Sequence, residues 1–241
     1  MKYFKEPAQR IGWLFVLATL AGVLSVVVMS STLGDDDLLS AVHANQGSVI
    51  VGETLIFVML IAMVGTAVLL FPIIRKHSET LALSYLLART LEVAMISVGL
   101  VAGLLLVPLS WNSAAADGDH ATSAAVLAES LKSASDWTGY LGAQMIFSIS
   151  ALVLNWAFLR NGLITRLLCL WRLIGVPLMF ASGLLVMFES LNSNATTLNL
   201  LVIPLAVQEM AMAVWLIVKG LGDVTKHHPA LDAPDQLAAA Q

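Results

Sequence analysis

Six long apolar stretches divide this chain of 241 residues, and four of them carry a charged residue inside the run. The stretches cover residues 11–29, 49–74, 81–109, 137–159, 167–188 and 198–218. Each has about 20 residues or more, which is enough for an α-helix to cross the roughly 30 Å hydrocarbon core of a bilayer. The sequence therefore predicts an all-α, polytopic membrane protein, a bundle of six transmembrane helices.

Composition supports a single membrane domain. The chain is 59% hydrophobic and 12% charged, whereas about a quarter of the residues in a soluble domain are charged. We expect residues 1–222 to form the transmembrane domain. Residues 223–241 are polar and rich in Ala and Pro, which predicts a short, disordered tail.

The basic residues predict the orientation. If the spans alternate, only Lys132 falls on one side, and Arg89 and Arg172 lie within spans. The other side receives all the remaining lysines and arginines: Lys2, Lys5, Arg10, Arg75, Lys76, Arg160, Arg166, Lys219 and Lys226. Because cytoplasmic loops carry an excess of Lys and Arg, both termini are predicted to be cytoplasmic.

Three ionisable residues are predicted to meet in mid-membrane. Arg89 and Glu92 are three residues apart and so share one helix face, roughly 15 and 20 Å along the third span at about 1.5 Å per residue. Glu209, with Gln208 beside it, lies near the middle of the sixth span. One cation against two carboxylates leaves an excess negative charge, which a proton could neutralise. Two interpretations remain open: a buried ion pair that fixes helix register, or a site that binds a ligand or handles a proton.

Two further charges lie nearer the ends of their spans. Arg172 sits about one and a half turns inside the fifth span, so we expect it to extend to phosphate headgroups as an anchor. If it points inward instead, it balances the second carboxylate. Glu53 is expected in the first turn of the second span, where a negative charge suits a helix N-terminus or is solvated at the interface. The alternative for Glu53 is a polar gate at an outward-facing mouth.

Several kinds of chemistry lack the residues they need. The spans contain no histidine for axial haem ligation, and the only cysteine, Cys169, excludes an internal disulfide and a cysteine-based metal site. No Walker loop, protease motif or basic nucleic-acid face occurs. We therefore predict no cofactor, no metal and no catalytic residues. An enzyme that modifies lipids is conceivable because carboxylates can act as acids, but no nucleophile accompanies them.

Three segments together resemble a known family. They are YLLARTLEVAMISVGL, the long run from YLGAQMIFSIS to LMFASG, and EMAMAVWLIVKGL, at residues 85–100, 140–183 and 209–221. In order and spacing they resemble the bacterial membrane family called domain of unknown function 4386. Its Arg-x-x-Glu pair matches Arg89 and Glu92, and its last helix matches Glu209. Its basic loop after the fourth helix matches residues 159–166, except that Thr165 stands where the family usually has Pro.

The resemblance implies a bacterial six-helix protein of the inner membrane and implies no activity. From the residues, we expect binding or transport of a small amphipathic or ionic ligand at the Arg/Glu cluster. The candidate site residues are Arg89, Glu92, Glu209, Gln208, Arg172 and Glu53. The alternative is a sensor or assembly subunit in which the cluster only holds the bundle together. Membrane lipids are the expected partners, nucleic acid is not expected, and oligomer formation remains open.

Overall fold

The computed structural model describes residues 5–114, 119–187 and 195–222, and every regular element in these ranges is helical. The predicted tail at 223–241 lies outside the described residues, as do Lys2 and Lys226. The helices are α1 (Lys5–Leu33), α2 (Leu38–Ala44), α3 (Gln46–Arg75), α4 (Glu79–Ala114), α5 (Asp119–Tyr140), a π-helical segment (Leu141–Ile146), α6 (Phe147–Arg160), α7 (Arg166–Met187) and α8 (Ala195–Val218).

Five helices of the described chain are long and apolar enough to cross a membrane. They are α1, α3, α4, the continuous helix from α5 to α6, and α7. The apolar part of α8 within the described side chains, Ile203–Val218, is shorter. Many large apolar side chains on these helices are exposed, including Leu87 and Val26. Such outward faces suit lipid, because a bilayer solvates them as well as a protein core would.

The helices run back and forth between two ends of one bundle. At one end, Gly222 donates its backbone N–H to the carbonyl of Leu163 at 2.8 Å, and Gly220 lies against Lys5. The start of α1, the loop between α6 and α7 and the end of α8 therefore meet. At the opposite end, α2 packs on Val49, Leu106 and Ala128. We call these the basic end and the α2 end.

Neighbouring spans are antiparallel, and short segments at residues 76–78 and 161–165 connect α3 to α4 and α6 to α7. Helix α3 packs on α4, α6 packs on α7, and α1 packs on both α3 and α8. The largest buried apolar cluster lies toward the basic end and includes Phe15, Leu70, Phe158 and Leu216. A smaller cluster near the middle includes Ala18, Leu60, Met63 and Ile96. The ion pairs described below lie beside these two clusters, and Ala18, Met63 and Ile96 also line one of the cavities.

The fourth predicted span differs from the sequence expectation. A span over residues 137–159 was expected, whereas the helix is continuous from Asp119 to Arg160. Within it, the hydrogen-bonding pattern changes to a π-helix over Leu141–Ile146. Residues 122–135, whose composition favours a helix, lie within α5. The sequence contains no proline or other break that would end α5 before the apolar run begins.

Small residues allow the helices to approach closely. A Cβ placed on Gly142, in the π-helical segment, would lie 2.8 Å from Cγ1 of Ile96 and 3.3 Å from the carbonyl oxygen of Glu92 on α4. A Cβ on Gly99 would lie 2.8 Å from the hydroxyl of Thr138 on α5. Contacts this short need glycine, as is common where membrane helices pack. They place the π-helical segment directly against the part of α4 that carries Glu92.

Candidate functional site

The first ion pair joins Arg89 and Glu92 on α4, and it confirms the predicted contact. Nη1 of Arg89 donates to both carboxylate oxygens of Glu92, at 3.0 Å each. The hydroxyl of Ser150 on α6 donates to Oε2 of Glu92 at 2.9 Å. Arg89 is 4% exposed and Glu92 is 1% exposed. Because a buried carboxylate is stable only when its lone pairs are satisfied, Ser150 fixes the position of α6 against this pair.

The second ion pair joins two helices, α7 and α8. Nη2 of Arg172 donates to Oε2 of Glu209 at 2.9 Å. Its Nη1 donates to the carbonyl of Leu205 at 2.8 Å and to Oε1 of Gln208 at 3.1 Å. Gln208 in turn donates to the carbonyl of Leu168 on α7 at 3.0 Å. Together these bonds fix the register of α7 against α8 across the middle of the bundle.

The expected anchoring role of Arg172 is wrong. The side chain is 3% exposed and points into the bundle, so the open alternative, in which it balances the second carboxylate, is the one found. The cost of burying a guanidinium is offset here by a carboxylate and two further acceptors. The expected charge count is therefore also wrong, because two cations face two carboxylates. We call Arg89, Glu92, Arg172 and Glu209 the ion-pair cluster.

Phe147 connects the two pairs. The guanidinium carbon of Arg172 lies 4.8 Å from the centre of its ring, and that of Arg89 lies 5.9 Å away. Cations within about 6 Å of an aromatic ring are attracted by the negative charge of its faces. Phe147 is the first residue of α6, directly after the π-helical segment. Phe147 was not among the predicted site residues, because an aromatic residue in an apolar span carries no signal of its partners.

Ser150 was also missed, although the sequence does carry a signal for it. Ser148, Ser150 and Asn155 are polar residues within a long apolar span, and all three are buried. Polar side chains in a membrane helix tend to face the bundle interior, where other helices can satisfy them. That pattern alone indicates the inward face of α6, but it does not indicate which of the three contacts a charge.

A cavity of about 140 Å³ lies beside the ion-pair cluster, and Arg89, Glu92 and Glu209 all line it. Ala18, Thr19, Met59, Met63, Ile96, Ala143 and Phe147 complete its wall. The three residues predicted to meet at one depth therefore do converge on one space, although Glu209 takes Arg172 as its ion-pair partner. Among the described residues, Nε of Arg89 has no hydrogen-bond partner. We call this space the cluster cavity.

The π-helical segment borders the same cavity through Ala143 and positions Phe147 at its end. One π-turn inserts an extra residue into a helix and is rare, and such turns occur frequently at functional sites. Here the turn rotates the chain between the polar α5 and the apolar α6. It also brings Gly142 against α4 and leaves Gln144 buried, with no partner for Oε1 among the described residues.

Glu53 is not in the first turn of its helix, so the expected capping role is wrong. Helix α3 begins at Gln46 and has no acidic residue in its first turn. Glu53 is 3% exposed, which also excludes solvation at the interface. Its carboxylate lies against Gly103 on α4. The helix extends further toward the α2 end than the apolar run, because the polar residues Gln46, Gly47 and Ser48 continue it.

No group of three or more His, Cys, Asp or Glu residues that could hold a metal ion occurs in the part of the chain that the structure describes. The chemistry of the site is therefore that of paired charges, hydroxyl and amide groups within an apolar bundle. Such an arrangement can orient helices, hold a small polar or charged molecule, or both.

Apolar helices of spanning length, with charges buried between them, define a multi-pass helical membrane protein. In a comparison with known families, residues 11–220 match the family described as domain of unknown function (DUF4386). This range includes every residue of the ion-pair cluster and nearly all of the described structure. The chain belongs to that family, as the resemblance of its motifs predicted. No curated protein and no solved structure matches the chain.

Proposed function

We propose that this is a bacterial inner-membrane protein with six transmembrane helices and both termini in the cytoplasm. Helix α8 has 24 residues, or about 36 Å at 1.5 Å per residue, and it packs on α7 and α1. That length supports a sixth span. The basic residues of the described chain, apart from Lys132, Arg89 and Arg172, lie toward the basic end, which supports placing that end in the cytoplasm.

Cysteine labelling tests this orientation. Thr80 and Ser133 are exposed, uncharged and near opposite ends of the bundle. In a Cys169→Ala background, a membrane-impermeant maleimide should label Ser133→Cys in intact spheroplasts and label Thr80→Cys only after lysis. Labelling of Thr80→Cys from outside intact spheroplasts would refute the orientation.

We further propose that the protein binds or transports a small amphipathic or ionic ligand at the cluster cavity. The observation that carries this proposal is the convergence of Arg89, Glu92 and Glu209 on one space inside an apolar bundle. Arg89 uses Nη1 for Glu92, and its Nε is unpaired among the described residues. Glu209 bonds Arg172 through Oε2. The wall therefore presents one guanidinium and two carboxylate groups to one bound molecule.

The alternative function is a non-catalytic sensor or assembly subunit. The observation that favours it is the charge balance, because the two cations and two carboxylates of the ion-pair cluster neutralise each other without a ligand. On this alternative the cluster fixes the register of α4 with α6 and of α7 with α8. The cluster cavity would then be a packing defect.

Two variants separate these functions. Ala143→Leu adds volume in the wall of the cluster cavity and leaves all four charges in place. Ala134→Leu, on the exposed face of α5, is its matched control. If the cavity holds a ligand, small molecules that co-purify with the wild-type protein in nanodiscs should be lost from Ala143→Leu and retained by Ala134→Leu. Identical mass spectra of the extracted small molecules from all three proteins would favour the structural alternative.

A further inference from the structure

A second, larger cavity of about 380 Å³ lies toward the α2 end, between α1, α3, α4 and α5. Its walls are mostly aliphatic, with Val26 and Met29 on α1, Ile56 on α3 and Leu100 on α4. The volume is within the range of small-molecule sites, about 300–1,000 Å³. We call this space the Glu53 cavity, because Glu53 is the buried charged residue in its wall.

Glu53 has room for its carboxylate but lacks a polar partner for it. A Cβ on Gly103 would overlap the carboxylate, so the absence of a side chain at this position leaves room for it. The residue is 3% exposed, and among the described residues Oε2 makes no hydrogen bond. An isolated buried carboxylate is costly unless a cation or a proton neutralises it.

No positively charged side chain of the described residues lines this cavity. Its lining contains no Lys, Arg or His. The nearest acid in the lining, Asp136, is exposed and already pairs with Lys132 at 3.1 Å. Ser30 and Ser135 add hydroxyl groups, and no metal-binding group of acids or histidines occurs among the described residues. One carboxylate without a cationic partner, beside aliphatic side chains, complements one positive charge on an aliphatic body.

We propose that the Glu53 cavity binds an aliphatic ammonium compound, with the positive nitrogen at the Glu53 carboxylate and the hydrocarbon against Met29, Ile56 and Leu100. This site is separate from the cluster cavity and does not depend on the function proposed there. Two sources share the chemistry: a free amphipathic amine, or the ammonium headgroup of a membrane lipid.

The test uses the full chain in nanodiscs made only of phosphatidylglycerol, which carries no ammonium group. Hexyltrimethylammonium is the probe, with hexanol as the neutral control and hexanoate as the anionic control. The probe should raise the midpoint of thermal unfolding in proportion to the logarithm of its concentration above the Kd, by about 2–4 °C for each kcal/mol of stabilisation. Neither control should do so. Equal shifts with hexanol and the probe, or no shift with the probe, would overturn the proposal.

Two substitutions identify the binding group. Glu53→Gln keeps the shape and removes the charge, and it should weaken binding of the probe on the order of 30-fold or more. Gly103→Ala keeps the charge but displaces the carboxylate, and it should also weaken binding. Glu209→Gln, at the cluster cavity, should leave binding of the probe to the Glu53 cavity unchanged. The test of the Glu53 cavity is therefore independent of the function proposed for the cluster cavity. Equal affinities of wild type and Glu53→Gln would refute the site.

A final comparison distinguishes the two sources. Phosphatidylethanolamine, added to the nanodiscs, should stabilise the wild type and not Glu53→Gln if the ligand is a lipid headgroup. If the ligand is a free amine, this lipid should shift the unfolding midpoints of the wild type and of Glu53→Gln equally. Only hexyltrimethylammonium should then stabilise the wild type more than Glu53→Gln.

Discussion

Removal of Arg172 is the most informative single change, because this side chain bonds three groups on α8. Arg172→Met keeps most of the aliphatic volume and eliminates the charge. Glu209 then stays largely buried without a cation, since its side chain is 13% exposed. Gln208 and the carbonyl of Leu205 each lose a donor as well. The substitution therefore leaves one unpaired carboxylate and two weakened polar groups in the middle of the bundle.

The expected magnitude follows from these contacts. Breaking a buried ion pair by removing one partner costs about 3–5 kcal/mol, whereas a neutral hydrogen bond between membrane helices contributes about 0.6 kcal/mol on average. The loss of the pair therefore dominates. At about 2–4 °C per kcal/mol for a chain of this size, the midpoint of thermal unfolding should fall by about 6–20 °C.

The double variant tests whether the charges act as a pair. In Arg172→Met with Glu209→Met no buried charge is left unpaired at this site, and replacing both partners of a buried pair is often close to neutral. The double variant should therefore be more stable than Arg172→Met alone, by about 2 kcal/mol or more. Tryptophan fluorescence of the purified protein in detergent during heating measures Arg172→Met, Glu209→Met, the double variant and the wild type.

The exposed pair of Lys132 and Asp136 provides a matched control. Lys132→Met should change the free energy of unfolding by about 1 kcal/mol or less, because solvent screens an exposed pair. If the effects of Arg172→Met and Glu209→Met simply add in the double variant, the two residues do not interact, and the pairing described here is refuted.

Two further pairs of substitutions test the packing around Glu92. Ser150→Ala removes the hydroxyl that donates to Glu92 and should destabilise the protein by about 1.5–3 kcal/mol. The control, Ser148→Ala, loses only a bond to the preceding turn of the same continuous helix and should cost less. Equal losses of stability in the two variants would contradict the contact between Ser150 and Glu92. Gly142→Ala places a Cβ against α4 and should lower the free energy of unfolding by about 1–3 kcal/mol. At Gly139 an added Cβ meets no atom within 4 Å, so Gly139→Ala should raise helix stability by about 0.5–1 kcal/mol. The same unfolding assay measures both, and stabilisation by Gly142→Ala would show that the helices are not in close contact there.

The ion-pair cluster connects several helices through short polar contacts. Arg89 and Glu92 join α4 to α6 through Ser150, and Arg172 joins α7 to α8. Phe147 lies between the two guanidinium groups. Because a bilayer provides no hydrophobic drive between apolar helices, specific polar contacts and close packing determine how such helices associate. The cluster therefore stabilises one arrangement of the bundle whether or not it also binds a ligand.

Part of the candidate site was predictable because its geometry is local. Arg89 and Glu92 share a helix face by their spacing, so the contact between them needs no tertiary information. The pairing of Arg172 with Glu209 required the register of two antiparallel helices. The sequence does hold a clue: Arg172 is six residues from the start of α7, and Glu209 is nine residues from the end of α8. At 1.5 Å per residue these depths differ by only about 4–5 Å, which two long side chains can cover.

The sequence by itself determined that the chain forms apolar helices of membrane-spanning length, which residues are charged inside them, and the family to which it belongs. These properties depend on composition, run length and short motifs, all of which are local. The tertiary structure alone decided that Arg172 turns inward, that Glu53 is buried beside Gly103, and that two cavities lie between the helices. Those outcomes depend on helix register and rotation, which are determined by contacts between residues far apart in the sequence. An arginine near the end of a span can reach either headgroups or a buried carboxylate, and only the position of Glu209 on the neighbouring helix selects between them.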